Sequence, residues 1–150
     1  MTEPSELDWH VRRHVYDATM RRGYPPTIAE TSSGLDLELE QVQAALQRLA
    51  AGRALVLQPG SGEILMANPF SAVPTPFVVE VSSYSCFGNC IWDALGIAAM
   101  LHQDARIRTA CADCGLALEL RVAEGRIHGD PGVVHFAVPA HHWWDDVVFS

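Results

Sequence analysis

Apolar residues at Val11, Val15, Ala18 and Met20 recur at helical spacing and predict a helix over residues 9–22, stopped by the run Gly23, Tyr24, Pro25, Pro26. Thr27 and Glu30 then stand at capping-box spacing, so hydroxyl and carboxylate can answer the free backbone donors of a short second helix ending at Ser33 and Gly34. A third helix is expected from Asp36, as its cap, to about Ala51. Leu39, Val42, Leu46 and Leu49 share one face of it, and Gly52 closes it. Residues 54–58 and 63–67 read as hairpin strands around the turn 59-PGSG-62. Three helices followed by a hairpin is the element order of a winged helix.

Residues 68–76, NPFSAVPTP, form a proline-rich connector expected to be extended. Phe70, Val73 and the following Phe77 are apolar, so it should lie against the protein. Beyond it the pattern alternates: a strand over 77–81, then a helix over 90–101 that buries Leu95, Ala98, Ala99 and Leu101. Strands over 105–109 and 116–122 flank the turn 110–115, and another strand is expected over 133–138. The chain closes on 141-HHWWDDVVFS-150. The fold class is therefore α+β: a winged-helix-like helical unit (1–67), the connector (68–76), and a small mixed α/β domain of catalytic type (77–150).

Composition narrows the function classes. At 49% hydrophobic over 150 residues the chain has ample material for a core and is not disordered. No apolar run approaches the roughly 20 residues of a membrane span. The opening MTEPSELDWH is acidic and polar, unlike a signal peptide, so a soluble cytoplasmic protein with no membrane partner is expected. The net charge is −8, and every basic residue is arginine, none lysine. The third helix opens with Asp36, Glu38 and Glu40, with only Arg48 and Arg53 basic nearby. Phosphates and base edges favour the opposite charge, so the first unit reads as a structural module and DNA is not expected as a partner.

The chemistry concentrates in four cysteines, Cys86, Cys90, Cys111 and Cys114, with none elsewhere. In the stretch 84-YSCFGNCIWDALGIAAML-101, Cys90 and Asp93 are spaced to share a helix face. A cysteine in the first turn meets free N–H groups that lower a thiol pKa, and Asp93 can hold or deliver a proton beside it. The plainer reading is a buried structural cysteine next to a surface carboxylate. Cys111 and Cys114 form a CxxC turn which, with Cys86 and Cys90, makes a plausible four-thiolate zinc site; an unmetallated tight turn is the alternative. His141 and His142 are adjacent and point apart, so they do not read as ligands of one metal. Trp143 and Trp144 read as core or pocket wall, and His135 as a half-exposed strand residue.

Cys90-Ile91-Trp92-Asp93 resembles the Cys-x-x-Asp motif that opens the catalytic helix of the alkylmercury (organomercurial) lyase family. The order around it agrees: helical unit, connector through Phe77, strand, motif helix, strand, and a cysteine-bearing turn at Cys111. What the resemblance implies is mercury resistance by protonolysis of a carbon–mercury bond, giving a hydrocarbon and Hg(II). Cys90 would be the thiolate and Asp93 the proton shuttle that also helps hold the metal. No cofactor is required, Hg(II) is the product ligand, and cellular thiols or a mercuric reductase receive it. The family's second catalytic cysteine follows a phenylalanine in a late segment. Here Phe149 is followed by Ser150, so the chain reads as a C-terminally shortened member, with Cys86, Cys111 or Cys114 as substitutes for that thiolate. The competing reading is a non-enzymatic thiolate protein carrying zinc or mercury on the four cysteines.

Overall fold

The computed structural model describes residues 4–145 and Val147. Three helices come first, α1 (Glu6–Arg22), α2 (Ile28–Leu35) and α3 (Leu39–Ala51), followed by strands β1 (Val56–Leu57) and β2 (Ile64–Ala67). Ser5 with Asp8, and Thr27 with Glu30, form capping boxes that satisfy donors with no partner inside the helix. The third helix begins later than its sequence predicts. Asp36 ends α2 in a left-handed conformation (φ 54°), which its short polar side chain tolerates. Gln41 instead accepts from the Glu38 N–H at the start of α3. At the other end Gly52 stays at negative φ and Arg53 takes the left-handed conformation.

Val42, Ala45, Leu46 and Leu49 of α3 pack with Val11, Val15 and Ile28 in the first core, which Leu55, Ile64 and Ala67 complete. Leu39, expected on that face, is 47% exposed because it sits in the first turn, beyond the edge of the core. Asp8 is buried, and Arg48 donates to it through Nε at 3.0 Å and Nη2 at 2.7 Å, holding its carboxyl below the usual range. Arg53 lies over the Trp144 ring at 5.5 Å. Both cations read as the basic end of α3 are therefore engaged within the chain.

Arg22 chelates Glu30 with contacts of 2.9 and 2.7 Å and, with the Thr27 N–H, lowers its pKa from 4.5 to about 2. The folded value is the depressed one, so the stabilisation is present above pH 4.5 and is lost as pH falls toward 2. Urea midpoints of the parent and Glu30→Gln are expected to differ at pH 6 and to converge near pH 2. The difference stays below about 1 kcal/mol because both side chains are partly solvated.

The connector does more than lie against the protein. Its β3 (Phe70–Ser71) pairs antiparallel with β2, completing a three-stranded sheet β1-β2-β3. Phe70 also bridges Gly88, and its fully buried side chain belongs to the second core. That core lies between α4 (Ile91–Leu101) and a five-stranded antiparallel sheet. The sheet comprises β4 (Val78–Glu80), β5 (Ser85–Phe87), β6 (Ala105–Ala110), β7 (Ala117–Ala123) and β8 (Arg126–Gly129), in the order β5-β4-β6-β7-β8. In β6, Ala105 and Ile107 face inward while Arg106 and Arg108 face out. On that outer face Arg106 and Arg108 pair with Glu80 and Glu119.

Three details depart from the sequence pattern. On α4 the buried residues are Ala94, Ile97 and Ala98, while Ala99 is exposed. Besides β3, two strands, β5 and β8, are additional. No strand forms over residues 133–138; the strand beside β7 is β8, with Leu120 opposite Gly129. Val133 is 94% exposed there. Among the described residues no helix is long and apolar enough to cross a membrane.

Candidate active site

Cys90 is the N-cap of α4. Its backbone is extended (φ −146°, ψ −177°), and its carbonyl accepts the first helical bond from the Ala94 N–H at 2.9 Å. Asp93 lies in the first turn, and both side chains are half-buried. Each group acts on the pKa of the other.

The helix start does not lower the Cys90 pKa as expected. Burial raises it and the charge of Asp93 adds to the rise, outweighing the N–H groups of Trp92 and Asp93 that favour the thiolate. Burial also raises the Asp93 pKa, against the donors of Asn89 and the Cys90 thiol. Burial thus disfavours the charged form of both neighbouring groups.

Neighbours absent from the sequence reading fix this mouth. A side chain at Gly88 would begin 2.7 Å from the Ala94 nitrogen and 2.9 Å from its Cα, so only glycine lets the chain pass beneath the first turn of α4. Asn89 Nδ2 donates to Asn68 Oδ1 at 3.0 Å and to the Pro69 carbonyl at 3.3 Å, tying the mouth to the connector. The Tyr16 hydroxyl, from α1, donates to the Asn68 carbonyl at 3.0 Å. Burial raises the Tyr16 pKa, and the charge of Asp93 reaches it. The Gly-Asn pair directly before Cys90 was the available sequence signal. The Tyr16 contact depends on packing across the chain and leaves none.

Trp92 is 62% exposed and meets Phe136 edge-on at 6.4 Å; Phe136 in turn lies 5.1 Å from Trp143. Trp143 Nε1 donates to the Val138 carbonyl at 2.9 Å. The late aromatics thus lie against Trp92 in the first turn of α4. The rings of His141 and His142, expected to point apart, instead lie 4.0 Å from each other at a tilt of 46°, and His142 contacts Asp145 at 2.7 Å. His135 is exposed in irregular chain. Asp146, Phe149 and Ser150 lie outside the described residues.

The other thiols are elsewhere. Cys86 is on β5, opposite Val79, only 2% exposed in the second core, and burial pushes its pKa up to about 11. It is not one helical turn from Cys90, because residues 85–87 are strand. Cys111 and Cys114 sit on the surface turn between β6 and β7. There the N–H groups of Cys114 and Asp113 lower the Cys111 pKa. Among the described residues no three His, Cys, Asp or Glu side chains converge as a metal site, so the four thiols are not gathered into one tetrahedron.

Comparison with known proteins follows this geometry. No curated protein matches the chain. A crystal structure of the mercury-bound form of MerB2 matches in fold with a TM-score of 0.66 at 21% identity, over 84% of this chain and 60% of that one. This chain thus spans less than two thirds of that neighbour's length. The model of the alkylmercury lyase family, MerB, matches residues 70–150, from β3 through the helix that Cys90 caps. The α+β chain belongs to the alkylmercury lyase family.

Proposed function

We propose that the chain is an organomercurial lyase that cleaves a carbon–mercury bond by protonolysis, with Cys90 as the sulfur ligand and Asp93 as the proton carrier. The observation that carries this reading is the pairing of two half-buried groups at the start of α4, Cys90 as its N-cap and Asp93 in its first turn. Residues 1–67 serve as a module packed on the second half. In support, Tyr84 Oη donates to the Met20 carbonyl at 2.7 Å.

The chemistry follows from that pairing. The Cys90 sulfur displaces the ligand opposite carbon on R–Hg(II), and its proton passes to Asp93. Thiolate is a soft donor suited to soft mercury. A second thiol, supplied from solution as its thiolate with the proton left to the buffer, adds to the metal and loads electron density onto carbon. Asp93 then protonates carbon: the C–Hg electron pair becomes the C–H bond, the hydrocarbon leaves, and Hg(II) remains on sulfur. Small thiols or a mercuric reductase then receive it.

Purified chain given phenylmercury and excess small thiol should release benzene, measured by gas chromatography, well beyond stoichiometric amounts. Cys90→Ser should release none. Absence of benzene from the folded parent protein sinks the cleavage reading.

Cys86 is assigned to the core instead of the reaction. Cys86→Ser should cost about 1–3 kcal/mol in a urea titration, the cost of a buried hydroxyl without a partner. Its benzene release per folded molecule should equal the parent's. A selective loss of rate would return Cys86 to the reaction.

A further inference from the structure

The turn between β6 and β7 carries two thiols that the proposed cleavage leaves unused. Its backbone is closed by the Cys111 N–H donating to the Leu116 carbonyl at 2.8 Å and the Gly115 N–H to the Cys111 carbonyl at 2.9 Å. Gly115 takes φ +72°, which a side chain would strain. Cys111 and Cys114 are thus held three residues apart on one tight surface turn, where Cys111 is partly buried and Cys114 exposed.

The donor set is selective by its size. Among the described residues no third His, Cys, Asp or Glu joins the pair. Structural zinc takes four protein ligands, whereas a soft ion content with two thiolates, such as Hg(II), is satisfied here.

Sheet register places the pair at the same end as Cys90. β5 and β6 are both antiparallel to β4 and so run in one direction. Phe87 and Arg108 both stand opposite Val78. Cys90 follows Phe87 by as many residues as Cys111 follows Arg108. Two strand spacings, about 10 Å, separate β5 from β6.

We infer that Cys111 and Cys114 form a two-thiolate site for Hg(II) that takes the ion as it leaves Cys90. The origin of the ion rests on the cleavage reading; the capture does not. Transfer is thiol exchange. Each new S–Hg bond replaces an old one, and the proton of each incoming thiol passes to the sulfur that departs.

The test uses inorganic Hg(II), so it is independent of turnover. Full-length Cys90→Ser is loaded with mercuric chloride, dialysed against excess 2-mercaptoethanol, and assayed for mercury per chain. A single ion per chain should be retained. Adding Cys111→Ala or Cys114→Ala should weaken retention about a hundredfold, since a monothiol cannot match the effective concentration of a second thiol on the same chain. In the parent protein, Hg(II) should protect both residues together from iodoacetamide, mapped by peptide mass. The assignment is overturned if either double variant retains as much mercury as Cys90→Ser, or if labelling is unchanged. Zinc displacing the mercury at equal stoichiometry would overturn it too. Retention without benzene release removes only the cleavage reading, and benzene release without retention removes only this one.

Discussion

Asp93→Asn is expected to abolish hydrocarbon release while leaving mercury capture in place. The amide keeps the size and much of the hydrogen bonding of the carboxyl but cannot carry the proton that the Cys90 thiol gives up. Loss of a positioned acid typically lowers rate by about 10²–10⁴-fold. Burial raises the Asp93 pKa, so the parent carries a penalty for its charge that the amide removes. The melting temperature of the variant should therefore hold or rise as its rate collapses. Single-turnover benzene release and a thermal melt on one preparation test both halves. A fall in rate that only tracks lost folded protein would make Asp93 a structural residue.

Phe70→Ala should be the most damaging core substitution. Phe70 is fully buried, and its backbone belongs to the small sheet through Ala67 while its side chain packs among Val79, Ile97 and Ile107 beneath α4. Truncating a buried phenylalanine costs about 3–5 kcal/mol, a large part of the 5–15 kcal/mol that holds a typical domain. Because Phe70 belongs to both halves, the loss should appear as one cooperative shift of the urea transition. Val73→Ala, at a 38% exposed position in the same connector, should move the midpoint by no more than about 0.5 kcal/mol. A Phe70→Ala shift as small as that control would mean the connector is not structural.

Local chemistry was readable in this chain, and packing was not. The Thr27–Glu30 box and the helix opening at Cys90 rest on neighbours a few residues apart, and both stand in the structure. Asp36 was misplaced because one short polar side chain suits a helix start and a left-handed stop equally. β3, β5 and β8 have two to four residues each, too few for alternation to speak, and they exist because other strands present edges. Residues 133–138 show the converse, a strand-like pattern that pairs with no strand. The sign of the Cys90 shift was illegible for a related reason. The helix start is written in the sequence, but the burial that overrides it comes from elements distant along the chain.

The proposed passage of the Cys90 proton to Asp93 has a calorimetric consequence. When sulfur takes a metal, the displaced proton goes to the neighbouring carboxylate and need not enter the buffer. The heat of alkylmercury binding should therefore be the same in buffers of very different ionisation enthalpy. In Asp93→Asn the proton has no internal acceptor, and the heats should separate by buffer. Binding to the parent chain is in this sense closed to the solvent's protons.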